Sequence, residues 1–134
     1  MTLQYSVAVN NARLDAFEST AGTSAKLRIY TGTVPANCAA AATGTLLVEI
    51  ALPSDWMAAA SAGVKAKSGT WSGTGAAAGT AGYFRIVDTA GTTTHAQGTA
   101  TITGGGGDMI LDNTSIAVSQ VVTVNSFSLT TGNA

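Results

Sequence analysis

From His95 to Thr103 the chain alternates. His95, Gln97, Thr99, Thr101 and Thr103 fall on one side of an extended backbone, and Ala96, Gly98, Ala100 and Ile102 on the other. A period of two marks a strand with one face on a core and one in water. The preceding run, Ala81 to Asp88, is rich in aromatic and β-branched residues that suit a pleated, half-buried surface. Asp88 to Gly91 between them is turn chemistry, since Asp bonds its own backbone and Gly tolerates positive φ. The stretch 81–103 therefore reads as a β-hairpin, and Gly104 to Gly107 form a hinge into a third strand at Met109–Leu111.

The remaining elements fall around this hairpin. Ser6 to Gly22 is the one good helix candidate, with Ser6 as cap, Leu14 and Phe17 on one face and Gly22 closing it. Strands are expected at 26–30, at 45–52 with Leu46, Val48, Ile50 and Leu52 on one face, and at 64–71. A long last strand is expected at 120–129, with Val122, Val124, Ser126 and Ser128 on one face. Residues 33–44 read as a loop, 54–60 as a short capped helix or turn, and 130–134 as a tail. The Gly/Ala-rich segment 72–80 reads as a flexible loop. About seven short strands between turn residues, with one helical segment at 1–24, predict a single mainly-β domain over 1–134. The expected fold is an antiparallel β-sandwich or jelly roll with one short N-terminal helix.

Composition narrows the partners. Ala, Gly, Ser and Thr make up more than half of the 134 residues, and side chains that small bury little apolar area each. The core is expected to be thin, or completed by contact with something else. Charged residues are 10% and the formal net charge is −1, against roughly 25% charged in an ordinary soluble domain. No basic stripe is present to neutralise a phosphate backbone, which argues against nucleic acid as a partner. The apolar runs are too short and broken for a membrane span. One cysteine, Cys38, excludes an intramolecular disulfide framework. No secretion signal is visible at Met1–Tyr5, so synthesis in a cytoplasm is expected.

Few residues are candidates for chemistry. Gly104 to Gly107 lack the Lys-Ser/Thr and helix of a phosphate loop, because Asp108 and a strand follow them. His95 with Asp88, Asp108 or Asp112 falls short of the two or more His or Cys ligands usual in a transition-metal site. A Cys38–His95 nucleophile pair has no oxyanion-hole signature nearby. Trp56 and Trp71 suit core packing better than sugar stacking or an interface. The sequence thus offers no catalytic, cofactor-binding or metal-binding residue, and the protein is not expected to be an enzyme or to need a cofactor.

Several blocks carry a resemblance: Ala-Arg-Leu-Asp-Ala-Phe-Glu (12–18), Leu-Arg-Ile-Tyr-Thr-Gly-Thr-Val-Pro-Ala-Asn-Cys (27–38), Leu-Pro-Ser-Asp-Trp-Met (52–57), Gly-Tyr-Phe-Arg-Ile (82–86), His-Ala-Gln-Gly-Thr (95–99) and Gly-Gly-Gly-Gly-Asp-Met (104–109). In this order they resemble small structural proteins of tailed bacteriophages and prophages. The resemblance implies a virion component, first of all a capsid cement or decoration protein that bridges major capsid protein subunits on the capsid surface. The charge-poor surface has little protection against self-association, which is expected most simply as a dimer through a sheet edge or the helix. The alternative is a tail or tail-fibre component that binds host-surface carbohydrate. A small hydrolase or lectin would need a polar or aromatic cluster that the sequence does not assemble. The N-terminal segment and the 72–80 loop are the expected docking elements.

Overall fold

The computed structural model describes residues 3–131. Within them lie α1 (Val7–Ala21) and the strands β1 (Lys26–Thr31), β2 (Leu46–Ala51), β3 (Val64–Ala66) and β4 (Ser72–Thr74). The hairpin follows as β5 (Gly79–Val87) and β6 (Thr94–Ile102), then β7 (Met109–Leu111), β8 (Ser115–Ile116) and β9 (Val121–Thr130). The described residues are mainly β with one helix. Its strands follow the order β2-β1-β5-β6-β7-β9-β3, with β4 paired to β9 and β8 to β5. Of the expected tail, Thr130 belongs to β9 and residues 132–134 lie outside the described residues. No helix among the described residues is long and apolar enough to cross a membrane.

The expectation of an all-antiparallel sheet fails at one ladder. β6 and β7 pair in parallel, Ala100 with Met109 through Ile102 with Leu111, although residues 103–108 alone connect them. A parallel connection ordinarily takes a dozen or more residues. The four glycines make the short route feasible. Gly104 and Gly106 take φ of +86° and +76°, and a Cβ on Gly105 or Gly107 would fall 2.6 or 2.7 Å from the Thr101 side chain. Asp108 then pins the return, its Oδ2 accepting from the Thr99 N–H at 2.9 Å and the Thr99 hydroxyl at 3.1 Å.

Two bulges correct the single-face readings of β2 and β9. Ile29 pairs with Val48 but Tyr30 with Leu46, so Leu47 is the extra residue, and Leu47 and Val48 are both buried. In β9, Ile110 pairs with Ser126 but Leu111 with Val124. Asn125 is the extra residue there. The buried side chains accordingly switch from Val122 and Val124 to Phe127.

The sheet curls until its ends meet. The expected flexible loop at 72–80 carries β4 and the start of β5, and the Ala76 N–H donates to the Leu47 carbonyl at 2.7 Å. β4 lies on β2 because Gly73 has no side chain; a Cβ there would fall 2.8 Å from Ile50 Cγ1 and 3.2 Å from Val48 Cγ1. The enclosed core is richer than the small-residue composition suggested. Phe17, Trp56, Trp71, Phe127 and Phe84 form an unbroken file with successive ring centroids 5.4, 5.9, 5.7 and 5.5 Å apart. Such ring pairs each contribute about 0.5–1.5 kcal/mol beyond their area burial.

The helix begins and ends as its caps dictate. The Ser6 hydroxyl accepts from the Val9 N–H at 3.2 Å, and the Gly22 N–H closes on the Glu18 carbonyl. Its docking is largely polar. Asn11, Asp15 and Glu18 share one face and accept the N–H groups of Gly63, Ala60 and Met57 at 2.9, 2.9 and 3.0 Å. No helix forms at 54–60; that irregular segment has backbone donors without ladder partners, and α1 satisfies them. Lys65, 1% exposed, bonds Asp15 at 2.8 Å, Glu18 at 3.0 Å and the Ala58 carbonyl at 2.9 Å. Burial works against its charge, but the bonds to Asp15 and Glu18 prevail and hold its pKa above the ordinary 10.5. The Lys65 hydrogen bond in turn holds Asp15 below the usual carboxylate value. The expected strand 64–71 is therefore short, and its two faces, both mixed in the sequence, resolve with Val64 outside and Lys65 within.

Candidate functional site: a two-arginine hollow and an exposed N-terminal end

Alternation in β1 and β5 sends Leu27, Ile29, Phe84 and Ile86 to the core, and so sends Arg28 and Arg85 to the other face. Register aligns them in one row across four strands: Glu49, Arg28, Arg85, Gln97. Like charges directly opposite each other repel, so each guanidinium depends on its other neighbours. Arg28 donates from Nε to Glu49 Oε2 at 2.7 Å and from Nη1 to the Gly91 carbonyl at 3.4 Å. Lys26 Nζ lies 3.7 Å from Glu49 Oε1. The hydrogen bond from Arg28 holds the Glu49 carboxyl below its ordinary pKa, and the same bond raises that of Arg28.

Arg85 is 4% exposed. Its Nε donates to Gln97 Oε1 at 3.2 Å, and its Nη2 to the carbonyls of Ala40 at 2.8 Å and Asn37 at 3.3 Å. These bonds strap the 33–44 loop over the sheet. Gln97 Nε2 adds a bond to the Pro35 carbonyl at 2.7 Å, and the Tyr83 hydroxyl donates to the Thr43 carbonyl at 2.6 Å. Tyr83 is itself stacked on Tyr30, centroids 5.0 Å apart. Between this loop and the turn of the β5–β6 hairpin lies a hollow of about 550 Å³, floored by the two arginines and walled by Ala39–Ala42 and Thr92–Thr94. The arrangement can bind; it holds no paired acid and base.

The candidate residues for chemistry lie elsewhere, Cys38 excepted, which is half-buried at the wall of the hollow. His95 is the extra residue in the β5–β6 ladder, where Ile86 pairs with Ala96 and Val87 with Thr94. Asp88 accepts the Thr92 and Thr93 N–H groups within its turn, and this backbone bonding, first that of Thr92, lowers its pKa. Asp108 holds Thr99, and Asp112 accepts the Thr123 N–H at 3.1 Å. Trp56 and Trp71 are fully buried, so neither ring faces a sugar. Among the described residues no three His, Cys, Asp or Glu side chains gather in a way that could hold a metal ion. Sequence reasoning missed the arginine row. Its signal was a charge between apolar residues in two strands, Leu27-Arg28-Ile29 and Phe84-Arg85-Ile86.

A second surface lies at the start of the described chain. Every residue from Leu3 to Val9 is exposed, and Leu3, Tyr5, Val7 and Val9 present 73, 42, 56 and 43% of their surface. The Arg13 guanidinium lies 4.8 Å from the Tyr5 ring centroid. Asn10 is the first buried residue of α1. The first helical turn thus projects past the face that Asn11, Asp15 and Glu18 fasten to the body. Comparison with protein-family models, with characterised proteins and with solved structures yields no match to this chain.

Proposed function

We propose that this is a non-enzymatic structural protein of a tailed-bacteriophage virion, a cement or decoration protein seated on the capsid surface and bridging major capsid protein subunits. The observation that carries this reading is the projecting apolar end, Leu3 to Val9, at the start of a helix that is fastened to the body beyond its first turn, by Asn11, Asp15 and Glu18. Large side chains left in water at a firmly held position suit a surface that another protein covers. The 10% charge content and the ordered blocks of phage resemblance support the same reading. The 72–80 segment is no longer a docking candidate, because its backbone is tied into the sheet. The sandwich-like body, β4 laid on β2, serves as a rigid plug, and self-association as a dimer would let one pair span two subunits. Each contact is weak, but repetition over a shell multiplies the stabilisation of the assembled state.

The second reading, a tail or tail-fibre component that binds the host surface, is favoured by the two-arginine hollow. Particles lacking the protein separate the two readings. The cement reading expects them to burst at lower temperature while adsorbing normally. Equal robustness with failed adsorption would replace it with the tail reading.

A further inference from the structure

The charge of Arg85 is left unanswered by its own neighbours. The other buried cation, Lys65, has two carboxylates at 2.8 and 3.0 Å. Arg85 is almost as deeply buried, yet its partners are all neutral: the side chains of Gln97 and Thr94 and the carbonyls of Asn37 and Ala40. Among the described residues no ion pair reaches it. A buried charge without a counter-ion is strongly unfavourable. Arg28 directly opposite on β1 adds like-charge repulsion.

The surroundings do not restore balance. Among the described residues Lys26, Arg28 and Arg85 share this face with a single carboxylate, Glu49, which Arg28 and Lys26 already engage. Asp88, in the adjoining turn, has its oxygens on Thr92 and Thr93. Donor capacity also remains. Among the described residues Arg85 Nη1 has only a long contact to Thr94 Oγ1 at 3.5 Å, and Arg28 Nη1 only one to the Gly91 carbonyl at 3.4 Å. Both side chains and Thr94 line the hollow.

We propose that this hollow is a binding site for an oxyanion, a carboxylate or phosphate group, held between the Arg28 and Arg85 guanidiniums with the Thr94 hydroxyl as a further donor. Planar guanidinium forks match both groups, and a charge-assisted bond is about twice as strong as a neutral one. A volume of about 550 Å³ falls among ordinary small-ligand sites, so the anion is carried on a larger group whose remainder lies along the alanine wall. The inference does not rest on the cement reading, since the anion is bound wherever in a particle the protein sits.

The test is an NMR titration of the arginine Nε–Hε resonances in the full chain. Sodium acetate and inorganic phosphate are each added against chloride at constant ionic strength. Saturable, concerted shifts of Arg28 and Arg85 are expected. Saturation by acetate alone identifies a carboxylate ligand, and saturation by phosphate alone a phosphate ligand. Arg28→Gln should bind about tenfold more weakly. If neither anion saturates, or if Arg28→Gln binds as tightly as the wild type, the site does not exist. Should Arg28→Gln fail to fold, the wild-type titration alone decides.

Discussion

Replacing Trp56 with Phe should loosen α1 from the sheet, because Trp56 is where the aromatic file meets the helix. Its ring lies edge-on to Phe17 at 5.4 Å and 5.9 Å from Trp71, and its indole N–H donates to the Gly22 carbonyl at 2.9 Å, just past the helix end. Phe removes that donor, at a cost of about 1 kcal/mol. The smaller ring leaves roughly 40 Å³ unfilled, worth about 1 kcal/mol at ~24 cal/mol per Å³. Lost apolar burial adds about 1 kcal/mol more. The total of about 3 kcal/mol corresponds to a fall in Tm of roughly 10 °C for a domain of this size. Circular dichroism melts would measure it, and hydrogen exchange should show the α1 amides losing protection first. A fall below about 3 °C, or helix amides protected as in the wild type, would refute Trp56 as the link between helix and sheet.

Gly73→Ala places a methyl against Ile50 and Val48 and should destabilise by about 2 kcal/mol, measured by urea unfolding; wild-type stability would mean that β4 does not lie on β2. Asp15, Glu49 and Asp88 have lowered folded pKa values, so their contribution is present above the ordinary carboxylate range and is lost as pH falls through the folded values. Lys65 is raised, so its contribution is complete below 10.5 and is lost as pH rises through its folded value. Thermal melts across pH should therefore show a plateau from about pH 5 to 9 with losses on both sides, and melting that is insensitive to acid would contradict the ion network. Val7→Asp with Val9→Asp should leave the Tm within a few degrees, since both side chains are exposed, while abolishing attachment to shells in a co-sedimentation assay.

Local chemistry made the helix legible from its ends, because Ser6 and Gly22 act within one turn of where they stand. The hairpin was equally plain, since the bonds that close its turn, Gly91 N–H to the Asp88 carbonyl and Thr92 N–H to the Asp88 carboxylate, join residues of the turn itself. What escaped the sequence depends on partners far along the chain. A single extra residue, Leu47 or Asn125, reverses which side chains face inward, and nothing local marks it. Both faces of the 64–71 run are mixed, so the sequence does not decide where Lys65 points; the carboxylates that admit it to the interior stand 50 and 47 positions away, at Asp15 and Glu18. Alternation places Arg28 and Arg85 opposite the core, but only the pairing of β1 with β5 sets them side by side beneath the 33–44 loop. The four glycines read as a hinge; that the hinge turns the chain parallel became evident only with Thr101 and Asp108 in place.

Copy number in the purified particle tests the central claim most directly. Quantitative mass spectrometry against the major capsid protein would measure it. A cement protein seated across the shell through its Leu3–Val9 end should be present in hundreds of copies per particle, in fixed ratio to the capsid subunit. A handful of copies, in ratio to tail proteins instead, would contradict the account.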